Sequence, residues 1–208
     1  AYLARLAGTV LRSKHHRITD SEILCLELAG LCHDLGHGPY SHSFDHLLRD
    51  ISFKSITAQH EIRSQILIKH LIEDLPELNI SAEEVKLIQY FIDTDKYKLI
   101  YPNEVLPKHT PGLEQIVSNP VHKLDVDKMD YLLRDAQALR FDMTIDGKLD
   151  VRALLKRSQL VHDKKEARTF WMFHIRDQGM VYDLICRRFI FYNNYYLHPG
   201  VNRCVNYY

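Results

Sequence analysis

No apolar run in this chain reaches the ~20 residues that a bilayer-spanning helix needs, and its start, Ala1-Tyr-Leu-Ala-Arg-Leu, has no charged leader ahead of a short apolar stretch. Neither a membrane span nor a secretion signal is expected, and the expected site of action is intracellular, nucleus or cytoplasm. Charge of one sign is also lacking: 27 basic and 27 acidic side chains cancel to +0. That excludes the global basic field of a protein that coats nucleic acid and leaves any phosphate affinity to local groups, with nucleic acid an open question as a partner. Cysteine is sparse. The four residues Cys25, Cys32, Cys186 and Cys204 show no Cys-x-x-Cys spacing and read as reduced thiols. Repeats, low-complexity tracts and linkers are missing too, so the 208 residues, 46% of them hydrophobic, are expected to form a single domain over 1–208. The chain lacks an initiator Met and a capping residue before its first helical pattern, as a fragment that begins inside a helix would.

The patterning is mainly helical. The segment 21–33 is apolar nearly all round, the mark of a buried helix, and Gly36, Gly38 and Pro39 follow to stop it. Further helical runs are expected from Ser41 to Leu48, from His60 and Glu61 through Ile62 to Leu75, from the capping box at Ser81 and Glu84 to about Ile92, from about Val121 to Leu139, and from about Gly179 to Tyr196. Pro102, Pro107, Pro111 and Gly112 predict a loop, and Asp146-Gly147 a turn. A small β-hairpin late in the chain is predicted from Gln159-Leu-Val161 and 169–175, around the charged turn at 163–166.

The polar groups that follow the buried helix are concentrated. Between Leu31 and His46 lie His33, Asp34, His37, His42, Asp45 and His46. A lone His-Asp pair is more often a hydrogen-bonded core histidine, but that reading accounts poorly for so many ionisable groups at the end of an apolar helix. Imidazole and carboxylate together suit a divalent first-row metal. A second cluster lies in 125–135, where about 100° per residue puts Asp127, Lys128, Tyr131 and Asp135 on one stripe and Met129, Leu132, Leu133, Ala136 and Leu139 on the other. By itself this stripe is as readily an amphipathic surface. Next to the first cluster, Asp127 could supply a distant carboxylate to the His33-Asp34 ion and Lys128 a cation for phosphate. His60-Glu61 opens a helix, where an acid is favoured by the helix dipole alone. Arg187, Arg188, Tyr195 and Tyr196 offer guanidinium and ring surfaces near the end.

Together these stretches resemble the HD-domain deoxynucleoside triphosphate triphosphohydrolases, and among them the animal enzymes that join a sterile-alpha-motif domain to the HD domain. The carrying segments are 29–45, 59–61, 125–135 and 182–188, in matching order and spacing. The resemblance implies a helical HD-domain bundle and cleavage of dNTP to deoxynucleoside and triphosphate. It implies His33, Asp34 and Asp127 as metal ligands, and His37, His42, Asp45, His60 and Glu61 as the catalytic group. Substrate contacts follow in the same way: Lys128 and Arg188 on phosphates, and Tyr131, Asp135 and Tyr196 near the sugar, where an aromatic helps select deoxyribose. Iron, manganese or zinc is implied at the HD site and magnesium on the substrate phosphates. The expected partners are dNTP, a regulatory nucleotide near Arg152 and Arg176, and other copies of the chain in a dimer or tetramer.

His42, three residues before Asp45, is the candidate acid for the leaving sugar oxygen. The chain departs from the pattern in three places. The family's first metal histidine would precede Ala1, Tyr192 stands where the animal enzyme has histidine, and Pro199 where it has lysine. Two alternatives stay open: an HD phosphohydrolase acting on another phosphate ester, and an inactive nucleotide- or nucleic-acid-binding HD module.

Overall fold

The computed structural model describes residues 1–51, 55–140 and 149–200. Helix α1 (Tyr2–Lys14) places Ala4, Ala7, Gly8 and Leu11 on one buried face. These small residues let α2 (Asp20–Cys32) approach so closely that a Cβ on Gly8 would lie 3.2 Å from the Leu26 side chain. Helix α2 starts in a capping box between Thr19 and Glu22 and buries Ile23, Cys25, Leu26, Ala29 and Cys32. It packs on α1 and on α5 (Ala82–Ile92), which opens in the expected Ser81/Glu84 capping box, and α5 packs in turn on α4 (His60–Glu73). Helix α2 is thus the central strut. Truncating a side chain such as Leu26, which has no exposed surface, costs about 2–5 kcal/mol in sites of this kind.

Helix α3 (His42–Ile51) runs past the predicted end at Leu48, and α4 begins at His60 as predicted. Two short helices were not legible from periodicity: α6 (Thr94–Ile100), capped by the Asp93 carboxylate on the amides of Asp95 and Lys96, and α8 (Val151–Arg157), capped by Asp150. Each has seven residues, too few for a helical repeat to stand out. Helix α7 is Val126–Ala138, beginning later than the expected Val121. The reason is local: Lys123 is left-handed (φ 59°), and the Asp125 side chain caps the Lys128 amide at 3.0 Å. Helix α9 (Gln178–Phe191) is followed by one π turn, Tyr192–Tyr196, where the sequence predicts a continuous helix.

The predicted hairpin is present. Strand β1 (Gln159–Asp163) pairs antiparallel with β2 (Arg168–Met172), with Leu160 opposite Trp171. Trp171 is fully buried in the same hydrophobic cluster as Leu11, Leu26, Met129, Leu155 and Phe191, so the hairpin is a lid on the helical core. Cys25 and Cys32 are buried free thiols and Cys186 is half-buried; Cys204 and the Asp146-Gly147 turn fall outside the described residues. Among the described residues no helix is long and apolar enough to cross a membrane.

Candidate functional site

Helix α2 ends at Cys32, and His33 still holds helical angles as its C-cap. The chain then turns, with the Leu35 amide on the Cys32 carbonyl at 3.0 Å and the His37 amide on the Asp34 carbonyl at 3.0 Å. His33 Nε2 is left 3.0 Å from Asp127 Oδ1 on the first turn of α7 and 3.4 Å from Asp34 Oδ2. Two carboxylates aimed at one imidazole nitrogen need positive charge among them. Oxygen and nitrogen ligands held about 2.0–2.2 Å from a first-row ion sit roughly 3 Å from one another, the spacing found here. His33, Asp34 and Asp127 therefore fit a divalent cation, and their ligand atoms lie within 4.8 Å of one another. Burial alone would lower the His33 pKa, but the Asp127 hydrogen bond and the two carboxylate charges outweigh it and raise it. The Asp127 carboxyl, which burial would raise, is held low by the bond from His33. His33 Nδ1 faces the Gly30 carbonyl without good hydrogen-bond geometry.

A second assembly adjoins the first through His37, whose Nε2 is 3.4 Å from Asp34 Oδ1. Its ring stacks on His60 (centroids 3.8 Å, 15° between planes), and His42 stands edge-on to both at 5.1 Å. Near-parallel rings send their lone pairs side by side rather than toward one point. Asp45, 5% exposed, is already used: its Oδ2 is 2.6 Å from His60 Nδ1, and its Oδ1 accepts from Arg63. This group suits an ion less well than the first. Burial and the neighbouring His60 and His42 charges lower the His37 pKa. The left-handed pair Tyr40 (φ 63°) and Ser41 (φ 51°) turns the chain so that His42 and Asp45 on the first turn of α3 face the loop they came from.

His42, three residues before Asp45, is not the imidazole hydrogen-bonded to it. Asp45 serves His60 instead, because α3 directs the carboxylate at the amide end of α4, where the His60 amide also faces it at 3.4 Å. Glu61 Oε1 lies 3.6 Å from His60 Nε2. Sequence reading also missed Arg63, Ser64 and Asp125. Ser64 accepts the Gly36 amide at 2.8 Å, and a Cβ on Gly36 would collide with the His60 carbonyl and lie 2.5 Å from the Ser64 amide. Gly36 thus permits close approach of loop and helix, four residues after α2 has ended. The spacing of Arg63 three residues after His60, on the same helix face, was the available signal.

Helix α7 carries the second wall. Met129, Leu132 and Ala136 are buried while Asp127, Lys128, Tyr131 and Asp135 are half-buried along one stripe, as the periodicity predicts; Leu139 is exposed, against expectation, because α7 has ended. Lys128 Nζ is bound by Asp125 Oδ2 at 2.8 Å, so a phosphate would have to compete with that carboxylate. The Tyr196 hydroxyl donates to Asp135 Oδ2 at 2.5 Å, and its ring lies 6.4 Å from Tyr131. Burial and the neighbouring Asp135 push the Tyr196 hydroxyl well above the usual tyrosine range. Arg188 reaches the Tyr131 hydroxyl, and its guanidinium lies over Tyr192, 5.9 Å from the ring centre. The fold therefore gathers His33, Asp34 and Asp127, then His37, His42, Asp45, His60 and Glu61, and separately Tyr131, Asp135, Arg188 and Tyr196 along α7, α9 and the π turn that follows α9. Arg152, by contrast, lies over Tyr2 at the start of α1, and Arg176 is exposed beyond the hairpin.

A family model of the HD domain matches residues 1–135. The chain is 33% identical over 198 residues to the deoxynucleoside triphosphate triphosphohydrolase SAMHD1 of Gallus gallus, covering 83% of this chain and 32% of that protein. To the Homo sapiens protein of the same name it is 28% identical over 183 residues, covering 77% and 28%. It is 36% identical over 122 residues to an HD domain-containing protein, L394, of Acanthamoeba polyphaga mimivirus, covering 58% and 24%. The chain spans about a third or less of the length of these relatives.

Proposed function

The chain belongs to the HD domain family, and from that premise we propose that it is a metal-dependent dNTP triphosphohydrolase, splitting dNTP into deoxynucleoside and triphosphate. The observation that carries this reading is the convergence of Asp34 and Asp127 on His33 beside a histidine cluster and a Lys-Tyr-Asp stripe. Its likeness to proteins named for that activity supports the choice of substrate. Residues 1–208 are proposed as a single HD phosphohydrolase domain.

In this reading His33, Asp34 and Asp127 hold the divalent ion, iron, manganese or zinc, which supplies Lewis acidity toward the phosphates. Lys128, exchanging Asp125 for phosphate, and Arg188 spread the charge that develops at phosphorus, and magnesium accompanies the substrate. A water attacks the α-phosphorus, the bond to the sugar oxygen breaks, and His42, the most open of the imidazoles, gives that oxygen a proton. His60, its Nδ1 committed to Asp45, keeps Nε2 for the reacting groups, and Glu61 orients it. Asp135 and Tyr196 form a hydrogen-bonded wall for the sugar, with Tyr131 beside it. A regulatory nucleotide and assembly into dimers or tetramers belong to the same proposal, as does an intracellular site of action.

The test is product identification from a panel of dNTPs with metal-loaded protein. Triphosphate is the expected product, lost in His33→Ala and Asp127→Ala. Orthophosphate in its place would favour hydrolysis of another phosphate ester.

A further inference from the structure

Arg63 stands where the loop after α2, α3 and the start of α4 meet. Its Nε donates to the Gly36 carbonyl at 2.8 Å, one terminal nitrogen to the Thr57 carbonyl at 2.7 Å and the other to Asp45 Oδ1. Its guanidinium also covers the Phe44 ring at 5.5 Å from the centroid, and that ring closes on Gly38 so tightly that a Cβ there would overlap it. The side chain is 17% exposed, so these are not the loose contacts of a surface arginine. A guanidinium's fixed fork suits this task because it can meet carboxylate and carbonyls in one plane.

We propose that Arg63 is a positioning residue: by fixing Asp45 between its own guanidinium and His60 Nδ1, it holds His60 in the form that carries its proton on Nδ1 and presents Nε2 to the reacting groups. This rests on the phosphohydrolase reading above. Without the guanidinium, the Asp45 carboxylate keeps His60 as a partner but loses the anchor that sets its angle. Its charge is then balanced only by the imidazoles. The groups facing His60 are His37 from the loop, His42 and Asp45 from α3, and Glu61 and Arg63 from its own helix, with Asp93 beyond Glu61. Among the described residues Arg63 is the cation bound to Asp45. The hydrogen bonds from His60 and Arg63 outweigh burial and keep the Asp45 carboxyl below its ordinary value.

Nitrogen-15 NMR of the histidine rings in the full chain reads which His60 nitrogen bears the proton, and steady-state kinetics on a dNTP reads the consequence. In Arg63→Gln the expected results are a mixture of His60 ring forms and a fall in kcat of about tenfold or more, with KM little changed. In an Asp45→Asn background the same change should cost nothing further, because both act through one contact. Arg63→Lys keeps a cation against Asp45 without spanning both carbonyls, and it should restore the Nδ1-protonated form and most of kcat. A merely structural arginine would leave lysine no better than glutamine. Unchanged His60 protonation and kcat in a folded Arg63→Gln protein overturn the inference, as do losses that multiply in the double variant. If glutamine prevents folding, a folded lysine variant that loses both the ring form and kcat overturns it equally. If the wild-type chain hydrolyses no dNTP, the proposed activity falls while the ring-nitrogen measurement still decides the role of Arg63.

Discussion

Helix α2 carries a histidine–carboxylate assembly at each end, and the two differ in whether their polar atoms are satisfied. At its start, Glu22 accepts the Thr110 amide at 2.5 Å, and next door His109 has both ring nitrogens engaged, Nδ1 on the Pro107 carbonyl at 2.8 Å and Nε2 on Glu114 at 3.2 Å. Glu114 also accepts the Gly112 amide at 2.7 Å, and the His109 ring packs on Tyr90 and Phe91. At the other end His33 Nε2 faces two carboxylates, and the buried Nδ1 of His37 has no hydrogen-bond partner. The first assembly is closed and holds a loop in place; the second is open and invites a ligand. Cavity size points the wrong way: a space of ≈ 1090 Å³ lies beside His109, lined by Arg17, Glu84 and Lys108 among others. Unsatisfied ligand atoms are the better guide to chemistry.

The largest effects are expected from exchanging one acid at each end of α2. Asp127→Asn should reduce hydrolysis at least about 100-fold and abolish tight metal binding, while thermal unfolding without metal moves by no more than about 1 kcal/mol. Glu114→Gln should do the reverse, destabilising by about 3 kcal/mol because it strands a buried imidazolium, with kcat of the folded fraction unchanged. Calorimetry and kinetics on both variants check the pair. If both lost activity and stability alike, the distinction between open and closed assemblies would be wrong.

A smaller effect is the pH dependence of the closed pair. Burial opposes charge on both partners, but their mutual hydrogen bond dominates, raising the His109 pKa above 6.5 and lowering that of Glu114 below 4.5. The His109 contribution is therefore complete below pH 6.5 and is lost as pH rises through its raised folded value. The Glu114 contribution is complete above pH 4.5 and is lost as pH falls through its depressed folded value. The pair stabilises most between these limits, and denaturant unfolding at several pH values should show that the Glu114→Gln penalty shrinks above the window. The smallest effect expected is that of Tyr196→Phe. It removes one hydrogen bond to Asp135, costs about 1 kcal/mol of stability, and should narrow the preference for dNTP over ribonucleotides in competition kinetics.

The open assembly was far more legible in the sequence than the closed one. His33, Asp34 and the stripe from Asp127 to Asp135 stood out because polar groups interrupt an apolar pattern at helical spacing. The buried α2 and the hairpin were readable for the same reason, since runs of that length show their period. His109 and Glu114 lie in a proline-rich loop without a period, so nothing linked them to each other or to Glu22. The partners of Asp45 were hidden as well: the left-handed Tyr40 and Ser41 and the close approach at Gly36 bring His60 and Arg63 to it. Contacts set by tight turns and glycine packing depend on tertiary geometry that spacing along the chain does not encode.

We propose that the open end of α2 holds a divalent ion for cleavage at the α-phosphorus of a dNTP. The most direct test follows the phosphorus products of a dNTP by ³¹P NMR while metal is titrated into wild-type protein and into Asp127→Asn. Intact triphosphate is expected, formed in step with metal by the wild type and not by the variant. Stepwise release of orthophosphate, or triphosphate formed equally by Asp127→Asn, would contradict it.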